Sequence, residues 1–140
     1  NLFLYLQKVV IKGQLIIDLS GGHGGIGGNG GNGGGGSPGT RHCNGGNGAN
    51  GGTAGQGGNG GKGGNLSVTL PTPQDFRDFV LANKIVVKNM GGNAGPSGKG
   101  GYHGSAGLGP SKKNGKDGEP GPYNSSGISG ENGSLFVQAN

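Results

Sequence analysis

Counting in threes from Gly21 lands on glycine at 21, 24, 27, 30, 33, 36, 39, 45, 48, 51, 57, 60 and 63, and only His42 and Ala54 interrupt the series. A flexible linker has no reason to hold phase over such a stretch, so the period requires a regular structure. The following slot is glycine as well at 22, 25, 28, 31, 34, 46, 52, 55, 58, 61 and 64. Residues 21–65 therefore read as Gly-Gly-X.

Three residues per turn at about 3.1 Å rise is polyproline-II geometry, which stacks residues i, i+3 and i+6 along one edge of a three-edged rod. With two edges reduced to bare backbone, neighbouring rods can approach until their N–H and C=O groups bond between rods, which such a helix cannot do within itself. This polyglycine-II arrangement places Gly21, Gly24, Gly27, Gly28, Gly30, Gly31, Gly57, Gly58, Gly60, Gly61, Gly63 and Gly64 in rod packing. The third edge, with Asn29, Asn32, Asn44, Asn47, Asn50, Asn59 and Lys62, then faces water or a partner. A collagen triple helix is the competing reading, but it draws rigidity from proline, and residues 21–65 hold only Pro38.

Glycine supplies 41 of the 140 residues while only 27% are hydrophobic and 5% aromatic, so a large apolar core is excluded and backbone bonding must carry much of the fold. Turns are expected where the second glycine is lost, at Ser37–Cys43 and at Ala49–Ala54. A looser repeat holds Gly92, Gly95, Gly98, Gly101, Gly104 and Gly107, slips phase, and resumes at Gly115. It reads as further rods beside the first set.

Strand-like residues bracket both glycine runs. Leu2–Leu6 is apolar throughout, which suits a strand buried on both faces or one donated to a neighbouring subunit. Val9–Ile11 and Leu15–Leu19, separated by Lys12-Gly13, suggest a hairpin; Leu66–Leu70, Ile85–Lys88 and Leu135–Ala139 suggest further strands. Thr72-Pro73 begins a short helix over Pro73–Ala82, with Phe76, Phe79 and Val80 at helical spacing. The expected class is mostly irregular and all-β: polyglycine-II rods flanked by short strands, with one helix. Its segments are a strand region at 1–20, the Gly-Gly-X module at 21–65, a strand-helix-strand connector at 66–90, a second glycine-rich module at 91–134 and a closing strand at 135–140. The start at Asn1 rather than Met suggests a processed or excised chain.

The stretch Gly57-Gly58-Asn59-Gly60-Gly61-Lys62-Gly63-Gly64-Asn65-Leu66-Ser67-Val68-Thr69-Leu70, followed by Phe76 and Phe79, resembles the glycine-rich N-terminal domain of Obg-type GTPases. That resemblance implies polyglycine-II rods on a β barrel and a ribosome- or RNA-contacting role. The wider Gly-Gly-X pattern is similar to springtail antifreeze proteins and to the receptor-binding tips of phage tail fibres, which implies a ligand-binding module.

Chemistry-bearing residues are sparse. His42 and Cys43 adjoin without a second cysteine, the acidic residues are scattered, and no phosphate-loop motif occurs, so no catalytic residue, metal or cofactor is expected. The net charge of +5 permits a surface glycan or other polyanion as partner, whereas Lys112, Lys113 and Lys116 lack the interleaved aromatics of a nucleic-acid groove. Lys8, Lys12, Gly13 and Asp18 break the apolar start short of a membrane span. Asn65, Asn124 and Asn132 stand in glycosylation sequons. Together these features lead to the expectation of a non-enzymatic extracellular or cell- or virion-surface structural protein. It would self-associate through Leu2, Phe3, Leu4, Tyr5 and Leu6 as homo-oligomer or filament.

Overall fold

The computed structural model describes residues 1–140. Most of the chain is extended and irregular, with β1 (Leu2–Tyr5), β2 (Leu15–Asp18), β3 (Leu66–Leu70), α1 (Pro73–Leu81), β4 (Ile85–Lys88) and β5 (Leu135–Ala139) as its main regular elements. The residues gather into two compact units, each drawn from separate stretches of chain. Unit 1 comprises Asn1–Gly24, Asn59–Asn93 and Ile128–Asn140; unit 2 comprises Gly25–Gly58 and Ala94–Gly127.

Unit 1 holds the apolar core. Its strands form two parallel sheets, β1-β3-β5 and β2-β4, with Leu2 opposite Leu66, Leu66 opposite Leu135, and Leu15 opposite Ile85. As the central strand, β3 is covered on both faces: Leu66, Val68 and Leu70 enter the core, while Thr69 is buried on the other side and accepts a hydrogen bond from Gln138. Phe76 of α1 and Ile85 of β4 complete the buried cluster, with Leu2, Leu4, Leu6, Val9, Ile11 and Phe79 among the residues packed around it.

Two expectations fail in this unit. Val9–Ile11 forms no strand, and β2 finds its partner in parallel β4 rather than across a hairpin turn at Lys12-Gly13. Val9 and Ile11 pack singly against the core, and Gly13 turns the chain at φ +152°, a backbone angle that side chains rarely permit. The helix ends at Leu81, one residue short of the expected Ala82. Asn83 follows in the left-handed region, and the Asn83 and Lys84 N–H groups close back onto Val80 and Phe79 carbonyls. Thr72 holds the N-cap position without a side-chain cap bond.

Unit 2 contains four extended segments, 25–39, 44–58, 94–108 and 113–127. They are tied by backbone hydrogen bonds at every third residue, 2.7–3.1 Å long. Segments 25–39 and 94–108 run parallel, with Gly27, Gly30, Gly33 and Gly36 donating to Pro96, Lys99, Tyr102 and Ser105. Segments 44–58 and 113–127 form a second parallel pair, in which Gly48 and Gly51 donate to Lys116 and Glu119. The pairs bond antiparallel to each other: Gly52 to Gly31, Gly101 to Gly52, and Gly121 to Gly101. The chain reverses at Thr40–Cys43, whose end residues exchange backbone bonds, and at Pro110–Lys112. The phase slip between Gly107 and Gly115 is therefore a turn. Ala49–Ala54, the other expected turn, runs straight through, because Ala49, Gly51, Gly52 and Ala54 all keep the period-three bonding.

Candidate functional site

Glycine in most of the extended segments is required by contact and not by backbone angle, since Gly13 is the one glycine with positive φ. A Cβ at Gly21, Gly27, Gly30, Gly57, Gly60 or Gly63 would overlap a neighbouring carbonyl oxygen. At Gly61 and Gly64 it would press on Gly22 N and Leu19 Cβ at 3.1 Å. Gly24 and Gly58 donate to Asn93 and Gly25. Gly28 and Gly31 differ: both are exposed, and a Cβ on either would meet nothing within 4 Å.

The outward asparagines are exposed, yet most are structurally engaged. In unit 2 the Oδ1 atoms of Asn29, Asn32, Asn47 and Asn50 accept from the backbone N–H groups of Lys99, Tyr102, Lys116 and Glu119 at 2.8–3.0 Å. In unit 1 Asn59 and Asn65 do the same for Ile128 and Ser134, and His23 Nδ1 for Asn93. Each partner lies 69 or 70 residues on, in the adjacent parallel segment. A short amide side chain on an extended chain reaches one of the N–H groups in each triplet of its neighbour that the backbone pattern leaves over. These caps were hidden in the triplet count. Aligning Leu15-Ile16-Ile17-Asp18 with Ile85-Val86-Val87-Lys88, and Asn65-Leu66-Ser67-Val68 with Ser134-Leu135-Phe136-Val137, exposes the repeat behind them.

Lys62 Nζ and Glu131 Oε2 lie 2.8 Å apart with both side chains largely in solvent. This hydrogen bond holds the Glu131 carboxyl below its ordinary range and the Lys62 ammonium above its own. Asp18 accepts from the Ser20 N–H at 3.0 Å, and that bond lowers its carboxyl. Asn44 is exposed beside the 40–43 turn.

At the turns of unit 2, Gly39 donates to Leu108 and Gly45 to Lys113, which sets the two loops side by side. Arg41, His42, Lys112 and Lys113 are exposed on them, and Cys43 is an exposed free thiol. No group of three or more His, Cys, Asp or Glu side chains comes together in the structure. A shallow recess of about 420 Å³ in unit 2 is lined by Asn29, Asn32, Lys99, Tyr102 and Tyr123 with glycine backbone. In unit 1, β1 pairs with β3 on one side; Leu2, Leu4 and Leu6 pack toward the core while Phe3 and Tyr5 remain 62% and 79% exposed. No helix is long and apolar enough to cross a membrane.

No protein-family model and no curated protein sequence matches the chain.

Proposed function

We propose that this chain is a non-enzymatic structural module of an extracellular or surface assembly, its glycine segments forming polyglycine-II helices that make a stiff block. The observation that carries the reading is the backbone bonding of unit 2, in which each interior segment is tied to three neighbours at every third residue. Rigidity of this kind needs no large apolar core, which suits a spacer or coat subunit better than a machine with a closing active site.

Self-association runs through β1, whose outer edge has no strand partner in the chain. Solution mass across a concentration series, with negative-stain imaging, tests this: growth into dimers or filaments is expected. The paired change Phe3→Lys and Tyr5→Lys, at two exposed positions, should abolish it without unfolding. A mass that stays monomeric at every concentration refutes the assembly role.

One observation favours a second reading, an adhesin-type tip. The adjoining turns of unit 2 present Arg41, His42, Lys112 and Lys113 together. Binding of a sulfated glycan that weakens steeply with salt, and is lost in Arg41→Ala with Lys112→Ala, would support it.

A further inference from the structure

Three rows of backbone groups in unit 2 have no partner, although the corresponding groups 69 or 70 residues on do. The N–H groups of Gly25, Gly28, Gly31 and Gly34 are unpaired and these glycines are exposed. Their counterparts Gly95, Gly98, Gly101 and Gly104 (95 − 25 = 70) are buried and donate to Gly58, Gly55, Gly52 and Ala49 carbonyls. The Asn47 and Asn50 N–H groups are unpaired, whereas those of Lys116 and Glu119 donate to asparagine side chains. The Asn47 and Asn50 carbonyls are unpaired too, whereas those of Lys116 and Glu119 accept from Gly48 and Gly51.

We propose that this edge of segments 25–39 and 44–58 binds a further glycine-triplet polypeptide, antiparallel to the first segment and parallel to the second. It would stand to them as segment 44–58 stands to segments 94–108 and 113–127. The rows fix its chemistry. A carbonyl every third residue meets Gly25, Gly28, Gly31 and Gly34, an N–H every third residue meets the Asn47 and Asn50 carbonyls, and an Asn side chain in the same period caps their N–H groups. The sequence that supplies all three is Gly-Gly-Asn. A Cβ built on Gly25, Gly28, Gly31 or Gly34 meets nothing within 4 Å, so these glycines are not explained by packing within the chain. Unit 1 contains one such cap: Asn1 Oδ1 accepts from the Asn65 N–H at 3.3 Å, as Asn65 Oδ1 accepts from Ser134.

The opposite edge does not offer this chemistry to a second copy. There, in the register of the repeat, Lys116 stands where an asparagine cap is required, and Pro120, which has no N–H, stands where a donor to the Asn50 carbonyl is required. The occupant is therefore a separate segment of triplets and not the far edge of another molecule.

This inference rests on the rod reading above, and amide hydrogen exchange by NMR on the full chain separates the two. Without additive, Gly95, Gly98, Gly101 and Gly104 should be protected while Gly25, Gly28, Gly31 and Gly34 exchange freely; unprotected controls would defeat the rod reading itself. Adding a capped (Gly-Gly-Asn)6 peptide should slow exchange at Gly25, Gly28, Gly31 and Gly34 by about tenfold or more, as expected for newly bonded amides. An (Ala-Gly-Asn)6 peptide should not, because its Cβ atoms take the slot of Gly48 and Gly51, where a Cβ would overlap the Gly104 and Gly101 carbonyls. Gly28→Pro with Gly31→Pro, which deletes two of the free donors without breaking a bond made by them in the chain, should leave the control amides protected and abolish the peptide effect at Gly25 and Gly34. Protected controls with no response to the (Gly-Gly-Asn) peptide overturn the proposal. Protection of Gly25–Gly34 that rises with protein concentration alone overturns the choice of occupant in favour of a second copy.

Discussion

Alanine at Gly30 and alanine at Gly28 differ by two residues in sequence and should differ in the sign of their effect. A Cβ at Gly30 would overlap the Gly52 carbonyl and lie 2.8 Å from the Gly101 N, so the segments must separate. Three backbone bonds converge there: Gly30 to Lys99, Gly52 to Gly31, and Gly101 to Gly52. At about 0.5–1.5 kcal/mol net for each bond, their weakening costs roughly 2–4 kcal/mol. Restricting the unfolded chain by replacing glycine returns about 0.4–1 kcal/mol, leaving Gly30→Ala destabilised by roughly 1–3 kcal/mol. At Gly28 the added Cβ meets nothing and φ is not positive, so only the second term operates and Gly28→Ala should be neutral to about 1 kcal/mol more stable. Urea unfolding followed by amide protection reads both. Equal losses at the two positions would refute the argument that contact, not backbone freedom, dictates glycine in these extended segments.

Three further outcomes are expected. Asn50→Ala removes the cap on the Glu119 N–H but leaves that donor open to water, so it should cost no more than about 1 kcal/mol in the same unfolding assay. Since the Glu131 carboxyl is lowered in the folded chain, its bond to Lys62 contributes above the ordinary carboxylate pKa and is lost as pH falls through the lowered value. A thermal melt should therefore show a small acid-side loss that Lys62→Met removes, and no such change between pH 6 and 8. Leu66→Ala, at a fully buried position in the central strand, should destabilise unit 1 by about 2–5 kcal/mol, with amide protection at β1, β3 and β5 lost together.

The triplet phase of residues 21–65 carried the extended segments and their glycine contacts into view, and the β-branched clusters at Leu66–Leu70 and Ile85–Lys88 carried two of the strands. What it did not carry was partner choice. Parallel pairing of β2 with β4 depends on residues 70 apart, and nothing local in Leu15–Asp18 distinguishes it from one arm of a hairpin. The straight run through Ala49–Ala54 departs from the expected turn for a related reason. Loss of the second glycine signals a turn only if both bare edges are needed there, and Ala49 fits because its N–H and carbonyl keep their bonds to Gly34 and Gly104. The asparagine caps lay outside any reading of one segment, since each is a relation between two rows.

All six buried hydrophobic residues except Ala54 belong to unit 1, and unit 2 is held almost wholly by bonds between peptide groups. Exposing apolar surface raises the heat capacity of an unfolding protein by about 0.45 cal/K/mol per Å², while exposing polar surface lowers it by about 0.26. Opening unit 2 thus changes heat capacity far less than opening unit 1. Its stability should decline almost linearly with temperature, without the dome of an oil-cored domain, so that on cooling the glycine block keeps gaining strength where the strand core weakens.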